Sequence, residues 1–293
     1  MGTTHPQPET QTDTTRLPRW LKRKIPKGNA NHFTAGLVDR LQLETVCDHA
    51  KCPNRMECYA QKTATFMILG SVCTRNCRFC SVAHGTPRPV DPDEPHRLAQ
   101  AVGELGLKHL VITSVTRDDL PDGGASHFCD AIRAVRAATD ATVEVLPSDF
   151  DKNRAAVELL ASEKPVVYNY NTETIPRLYR TVRGPKLDFH WTLEIFRIIK
   201  RLDPTIKTKS GIMLGLGETD AEVLDWFSEL RAAGCELLTI GQYLRPSLDQ
   251  MPVARYVTPE EFDRWRDRAL SLGFDQVASA PFVRSSYHAG NML

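Results

Sequence analysis

Clustered cysteines constrain this chain more than any other feature of its sequence. Six of the eight cysteines lie between positions 47 and 80, whereas Cys129 and Cys235 stand alone. The first residues are rich in Thr, Gln and Pro and show no apolar core of a secretion signal. Such crowding in a large, non-secreted chain is typical of metal binding rather than of disulfide bonds. We therefore expect a soluble, cytoplasmic protein with a metal centre, in which the two lone cysteines are buried packing residues.

Three of these cysteines, named here the downstream trio, form the run Cys73-Thr-Arg-Asn-Cys77-Arg-Phe-Cys80. Closely spaced thiolates can hold three corners of a cubic iron–sulfur cluster, because soft sulfur ligands suit this chemistry. The fourth iron is then open to a small chelating ligand, as in catalytic rather than structural metal sites. A structural zinc ion is the alternative, but it usually requires paired C-x2-C units and four protein ligands. No second pair and no His follows at a matching distance.

The upstream trio, Cys47, Cys52 and Cys58, has the spacing C-x4-C-x5-C. It precedes the downstream trio by 15 residues, in a Pro- and Cys-rich segment up to about Ala64 that is too irregular for a long helix. We expect it to bind a second cluster rather than to complete the first. A structural zinc site that includes His49 is the alternative, although the spacing does not match the usual ligand pairs.

Repeated β-branched runs separated by helical periods predict the fold beyond position 64. Capping boxes at Thr219 with Glu222 and at Thr258 with Glu261 mark two of the helix starts. Six or seven such units favour an α/β fold of the partial (β/α)6 TIM type, with a doubly wound sheet as the alternative. Reactive groups lie at the carboxyl ends of the strands in both architectures. The predicted strands are Thr65–Leu69, His109–Thr113, Thr142–Leu146, Val166–Asn169, Ile206–Met213, Leu237–Ile240 and Asp275–Ala278.

Two strand-end loops carry residues for which a structural role is the better interpretation. Asp118, Asp119 and Asp122 follow the second predicted strand, where a turn with acids at a helix start is commoner than a hard-cation site. Gly215 and Gly217 follow the fifth, but their spacing is too short for a dinucleotide fingerprint. We expect these glycines to permit the close approach of a cofactor.

Charge and hydropathy argue against two classes of partner. Lys plus Arg number 37 and Asp plus Glu 36, so the formal net charge of +1 provides no field to hold nucleic acid or an anionic membrane. The longest apolar runs are far shorter than the roughly 20 residues of a membrane span. One local segment, Arg16 to Lys27, carries six basic residues and no acid. It is either a solvated arm that packs through its apolar residues or a docking surface for an acidic protein partner.

The motif C-x3-C-x-aromatic-C at the end of the first strand resembles the radical S-adenosylmethionine superfamily, with Phe79 as the aromatic residue. The resemblance implies that S-adenosylmethionine chelates the open iron and is cleaved to methionine and a 5′-deoxyadenosyl radical. That radical abstracts hydrogen from an unactivated carbon, which requires a dry interior. The resemblance also implies cofactor contacts by Phe79, Ser114, Asn169 and Asn171.

A longer set of motifs resembles the lipoyl synthase family over about residues 20 to 290. The resemblance implies that a serine of the terminal RSSY motif is the fourth ligand of an auxiliary cluster on the upstream trio: Ser286, with Ser285 as the competitor. The sequence differs from the family at Tyr170, where the family has His, and in the order of residues 182 to 186. The matching motifs are WLK, CPN, TATFMILG, CTRNCRFC, TSVTRDDLPDGGASHF, NTETIPRLY, SGIMLGLGE, GQYLRPS and RSSYHAG.

The resemblance implies a sulfurtransferase that works with two 4Fe–4S clusters and S-adenosylmethionine. Its reaction would insert sulfur at C6 and C8 of an octanoyl chain on a lysine of a lipoyl carrier domain, with sulfur donated by the auxiliary cluster. Implied partners are that carrier domain, a low-potential electron donor and an iron–sulfur cluster carrier. Two alternatives are a related enzyme that acts on a free small molecule or a nucleic acid base, and a nonenzymatic, zinc-bound barrel.

These interpretations divide the chain into four parts. Residues 1–15 are predicted to be a mobile tail, and residues 16–64 an extension with the auxiliary cluster ligands. Residues 65–280 are predicted to form the partial barrel, and residues 281–293 a short C-terminal tail over its mouth with the serine ligand.

Overall fold

The computed structural model describes residues 16–23 and 29–293. The predicted mobile tail and two basic residues of the arm, Lys24 and Lys27, lie outside these ranges. Within them, every helix is too short or too polar to cross a lipid bilayer. All eight cysteines are free thiols, in agreement with the expectation that they form no disulfide bonds.

An eight-stranded sheet with one antiparallel edge strand forms the centre of the protein. Its spatial order is β1-β2-β5-β6-β7-β8-β9-β10, while β3 and β4 pair separately. The strands are β1 (Glu44–Thr45), β2 (Thr65–Ile68), β3 (Val72–Cys73), β4 (Ala83–His84), β5 (His109–Ser114), β6 (Thr142–Leu146), β7 (Val167–Asn169), β8 (Lys207–Leu214), β9 (Leu237–Gln242) and β10 (Gln276–Ser279). From β2 to β10 the order follows the chain without reversal, as in a barrel. A doubly wound sheet reverses its order at a switch point, so that alternative is wrong.

Helices precede or connect the strands along the chain. They are α1 (His32–Arg40), α2 (Val46–His49), α3 (Arg55–Ala60), α4 (Glu94–Leu105), α5 (Ala125–Ala138), α6 (Arg154–Ser162), α7 (Pro176–Arg183), α8 (Phe189–Leu202), α9 (Asp220–Ala232) and α10 (Pro259–Ser271). Both predicted capping boxes are present, at the starts of α9 and α10. All seven predicted strands are confirmed, with bounds that differ by at most two residues.

The extension before the barrel is more regular than its sequence indicates. No long helix was expected there, yet α1 has nine residues, and its Leu37 and Val38 join the main hydrophobic core. Two shorter helices, α2 and α3, carry Cys47 and Cys58. Strand β1 pairs antiparallel with β2 and thereby attaches this segment to the edge of the sheet. The upstream trio is therefore held against the barrel by backbone hydrogen bonds and by packing.

The C-terminal tail runs from the mouth of the barrel to its opposite end. Ser285 and Ser286 lie beside the cavity at the carboxyl ends of the strands. Further along, a Cβ added to Gly290 would lie 3.3 Å from the Cβ of His109, the first residue of β5. Met292 packs with Val167 and Leu237, which begin β7 and β9. The last residues thus cover the amino-terminal end of the barrel.

Candidate active site

A cavity of about 320 Å³ opens at the carboxyl ends of the parallel strands. Residues at or just after five different strands line it: Ser114, Ser148, Asn171, Met213 and Tyr243. This is the end of a parallel barrel at which reactive groups are expected, because the loops that follow the strands converge there.

All three cysteines of the downstream trio line this cavity. Cys73 ends β3, and its Sγ accepts hydrogen bonds from the backbone N–H groups of Arg75 and Thr116, each at 3.4 Å. The Sγ of Cys80 accepts another from the backbone N–H of Val82 at 3.4 Å. Burial raises the pKa of Cys80 to about 12 and also raises that of Cys77. Both are thiols at neutral pH until a metal displaces their protons.

Buried ion pairs fix the loop of the downstream trio to the barrel. The guanidinium of Arg75 binds Asp118 and Asp149 at 2.7 Å each, and these acids follow β5 and β6. A second buried arginine, Arg117, binds Asp119 and donates to the backbone oxygen of Leu69. Asp118 and Asp119 therefore have the structural role that the sequence predicted, since both are occupied by arginines.

The upstream trio lies next to the same cavity. Cys47 and Cys52 line it together with the downstream trio. All three upstream cysteines and Ser286 line a neighbouring cavity of about 300 Å³. Burial and the mutual repulsion of neighbouring thiolates raise the pKa of Cys47 to about 12 and that of Cys58 to about 11. Two sets of three thiols thus meet at the barrel mouth.

The thiols of each trio are spread along the cavity walls rather than gathered around one point. Over residues 16–23 and 29–293, no three His, Cys, Asp or Glu side chains are grouped closely enough to hold one metal ion. The thiols of a cubic cluster bind different irons and so need not converge on one point. The zinc alternative included His49, whose Nε2 lies 2.6 Å from Glu44 Oε2.

The two candidate serines differ in their contacts. Asn171 donates a hydrogen bond from Nδ2 to Ser285 Oγ at 3.1 Å, whereas Ser286 lines both cavities. The Ser286 hydroxyl has no hydrogen-bond partner in the described part of the chain. Ser286 is therefore the serine that is free to bind a ligand beside the upstream trio.

Cofactor contacts predicted from the superfamily fall into two groups. Phe79, Ser114 and Asn171 line the cavity. Within residues 16–23 and 29–293, the buried Oγ of Ser114 and Oδ1 of Asn171 have no hydrogen-bond partner. Such orphaned polar atoms are the kind that a polar ligand would satisfy. Asn169 does not line the cavity. It is fully buried and donates from Nδ2 to Glu144 Oε1 at 3.0 Å, and the same carboxylate binds Lys209.

Sequence reasoning missed two charged residues of the cavity wall, Glu173 and Arg183. Arg183 donates to the backbone oxygen of Asn171 at 2.6 Å, and its guanidinium lies over the rings of Tyr170 and Tyr179. Burial raises the pKa of Glu173, whose backbone has a left-handed φ of 66°. The position of Glu173 just after β7 was the available signal, because strand ends supply reactive groups.

Gly215 makes the predicted close approach, but to the protein itself. A Cβ at this position would lie 2.4 Å from Gln242 Nε2 and 2.5 Å from the backbone oxygen of Arg255. This glycine therefore gives room to the chain after β9. A Cβ added to Gly217 would meet no atom of the described residues within 4 Å, so the approach of a cofactor to these glycines stays a prediction.

The described part of the basic arm packs on the barrel. Trp20 donates from Nε1 to the backbone oxygen of Val257 at 3.2 Å, and Leu21 is buried. Arg23 binds Glu57 at 2.6 Å, and Tyr287 of the tail donates to the same carboxylate at 2.7 Å. Packing is thus confirmed for this part of the arm, while Arg16, Arg19 and Lys22 are exposed.

Comparison with known proteins agrees with this site. The radical SAM superfamily model matches residues 67–230, and the chain belongs to that class. Its fold resembles the crystal structure of methylornithine synthase, with a TM-score of 0.54 at 13% identity over 89% of this chain and 87% of that one. The lipoyl synthase of Rhodopirellula baltica is 60% identical over 96% of this chain and 89% of its own length. That of Alkaliphilus metalliredigens is 50% identical over 95% and 96%. The chain is a member of the lipoyl synthase family.

Proposed function

We propose that this protein inserts sulfur at C6 and C8 of an octanoyl group attached to a lysine of a lipoyl carrier domain. One observation carries the proposal: Cys47, Cys52 and Ser286 line the same cavity as the downstream trio. A radical-generating centre and a sulfur source must both reach one substrate chain, and a shared cavity allows this. The family membership of the chain supports the same assignment.

The downstream trio fits a 4Fe–4S cluster with one open iron. Bound there together with S-adenosylmethionine, such a cluster supplies a carbon radical that removes hydrogen from an unactivated carbon. Ser114 and Asn171 line the cavity, and their unpaired polar atoms would bind polar groups of S-adenosylmethionine. Phe79 would pack against it from the same wall.

The upstream trio and Ser286 fit a second 4Fe–4S cluster that donates the sulfur. A serine oxygen is a harder ligand than a thiolate and a weaker match for the iron of a sulfur cluster. Ser286 is held only by the course of the tail, because no side chain of the described residues binds its hydroxyl. Both features favour a cluster that opens during the reaction.

Apolar side chains on the cavity wall suit the octanoyl chain and exclude water. Contact with these groups would keep the chain extended past both trios, and a dry wall limits quenching of a radical. The apolar residues include Val46, Met67, Leu146, Ile212, Met213 and Leu244.

Three protein partners follow from the proposed reaction. The exposed cations Arg16, Arg19 and Lys22 would attract an acidic carrier domain, in a contact that weakens as salt increases. A low-potential electron donor would reduce the downstream cluster, and a cluster carrier would rebuild the auxiliary one. No nucleic acid takes part in this proposal.

Anaerobic turnover tests the proposal directly. The protein is incubated with reductant, S-adenosylmethionine and an octanoylated carrier domain, and the carrier is weighed by mass spectrometry. We expect a mass gain from two sulfur atoms on the carrier and none on free octanoate. Sulfur on free octanoate alone would favour a small-molecule enzyme, and zinc without acid-labile sulfide in the purified protein would contradict the proposal.

A further inference from the structure

Arg284, the first residue of the RSSY motif, stands at the boundary between the two cavities and lines both. Strand β9 makes room for it by means of a glycine. A Cβ added to Gly241 would lie 3.1 Å from Arg284 Nη1 and 2.2 Å from the backbone oxygen of Val283. Any larger residue at position 241 would displace this part of the tail, so the guanidinium is held at a defined place on the wall.

Other enclosed arginines of the barrel mouth have compensating partners. Arg75 is bound by Asp118 and Asp149, and Arg117 by Asp119. Arg183 has no carboxylate partner among the described residues, but it lies over two tyrosine rings at 5.2 and 5.4 Å and donates to a backbone oxygen and to a tyrosine hydroxyl.

Arg284 lacks this compensation. Its one hydrogen bond is from Nη1 to the backbone oxygen of Val283 at 2.7 Å, and it forms no ion pair within the ranges that the structure covers. Its side chain is half-buried between the two cavities. An enclosed cation costs free energy unless an anion balances it. Cys47 and Cys52 of the upstream trio line both cavities together with Arg284, whereas the carboxylate of Glu173 lines only the first.

We propose that Arg284 balances the negative charge of the auxiliary cluster and sets its reduction potential. The inference rests on the proposed function. Three thiolates and one serine oxygen give such a cluster a net negative charge. Charge and hydrogen bonding around a cluster are the main controls on its potential. A fixed positive charge stabilises the reduced, more negative state and therefore raises the reduction potential.

Potentiometry on the auxiliary cluster alone tests this role. The full-length protein is prepared with Cys73, Cys77 and Cys80 replaced by Ala, so that only the upstream trio can hold a cluster. Into it we place Arg284→Gln, which removes the charge, or Arg284→Lys, which keeps it. Arg40→Gln serves as the matched control, because Arg40 is an exposed cation paired with Glu104 on α1 and α4.

We expect the potential in Arg284→Gln to fall by roughly 59 mV or more, a tenfold change in the one-electron equilibrium. Arg284→Lys should retain most of the original value, and Arg40→Gln should leave it unchanged. Loss of the cluster in the Gln variant but not in the Lys variant would also support the inference, because only the Lys variant keeps the positive charge at position 284.

Three results would overturn the inference. The first is an unchanged potential in Arg284→Gln, and the second is loss of the cluster in both the Gln and Lys variants, which would indicate shape rather than charge. The third, measured with all six cysteines present, is weakened binding of S-adenosylmethionine without a shift in potential, which would assign Arg284 to the carboxylate of that cofactor. If the upstream trio holds no cluster even with Arg284 intact, the proposed function itself fails.

Discussion

The two cysteine trios share one cavity but are held in different ways. The downstream trio lies within eight residues, between β3 and β4, and Arg75 ties its loop to the barrel through buried acids. The upstream trio spans α2 and α3, and the serine beside it comes from the far end of the chain. The first site is therefore built by one rigid loop, whereas the second exists only when the extension and the tail meet. This difference fits the proposal that the cluster on the downstream trio is retained through turnover, whereas the cluster on the upstream trio is consumed as the sulfur donor.

Two contacts on either side of Ser286 join the tail to the extension. Asn54 donates from Nδ2 to the backbone oxygen of Phe282 at 2.8 Å, and Tyr287 donates to Glu57 at 2.7 Å. Arg23 connects these contacts, since it binds both Asn54 and Glu57. The Arg23 and Glu57 side chains are each 31% exposed. The ligand shell of the upstream trio is thus closed by half-exposed hydrogen bonds rather than by a buried ion cluster.

The largest effect is expected from Cys73→Ala. Removal of one of three thiolates from the downstream trio should abolish both the cleavage of S-adenosylmethionine and the insertion of sulfur, because the second depends on the first. Methionine release and carrier mass, measured in the same anaerobic reaction, check this. Continued cleavage of S-adenosylmethionine at a comparable rate would contradict the assignment of the downstream trio to the radical-generating cluster.

Cys52→Ala should separate the two activities. We expect sulfur insertion to disappear while cleavage of S-adenosylmethionine continues, because the downstream trio remains whole. Iron and acid-labile sulfide should fall to about half, since one of two clusters is lost. Loss of cleavage as well would show that the trios do not act separately. Cys129→Ala, at a buried cysteine of α5, is the control that should change neither activity.

Arg75→Ala tests whether the downstream loop is held as firmly as its contacts indicate. Arg75 and Asp149 side chains are only 6% and 2% exposed, and removal of the arginine leaves buried carboxylates without a partner. Such a change costs about 3–5 kcal/mol in the free energy of unfolding. Urea denaturation of the cluster-free protein measures it, with Arg266→Ala as control, because Arg266 pairs with Asp263 and Asp267 at the surface. A decrease of less than about 1 kcal/mol in the free energy of unfolding would show that the loop of the downstream trio is not held more firmly than the segments around the upstream trio.

The serines of the RSSY motif should differ in a measurable way. Ser286→Ala should slow sulfur insertion by roughly 10- to 100-fold, the effect reported for weakening the shell of a metal site. Ser285→Ala removes only its hydrogen bond with Asn171, worth about 1 kcal/mol, and should slow the reaction less than about fivefold. The reverse pattern would make Ser285 the ligand.

The barrel could be predicted from the sequence because each strand carries its own signal. β5, for example, is a run of β-branched residues with helical periods before and after it. Both of its faces are buried, so the run suits only a central strand of a parallel sheet. The extension could not be predicted as well. Its helix α1 buries few side chains, and β1 becomes a strand only by pairing with β2.

The candidate site divides in the same way. The cysteine ligands can be recognised from their spacing in the sequence alone, without knowledge of the tertiary structure. Asn169 and Asn171 looked equivalent, but one binds Glu144 inside the barrel and the other reaches the tail. Nothing local distinguishes them, since Glu144 and Ser285 are distant in the chain. Arg284 likewise stands out only in the tertiary structure, where it lines both cavities and forms no ion pair among the described residues.

Tyr287→Phe should have the smallest effect on stability and a specific one on the upstream trio. The variant loses one hydrogen bond to Glu57, which keeps its ion pair with Arg23, so the free energy of unfolding should fall by only about 1 kcal/mol. The tail beside Ser286 then loses one of its side-chain contacts with the extension, and a chelator should remove iron faster from the upstream cluster alone. Ser162→Ala, which removes one hydrogen bond to the backbone oxygen of Leu159 at the end of α6, provides a control outside this junction. Equal loss of iron from both trios would mean that the tail protects the whole mouth of the barrel, and the proposed difference between a retained and a consumed centre would lose its structural basis.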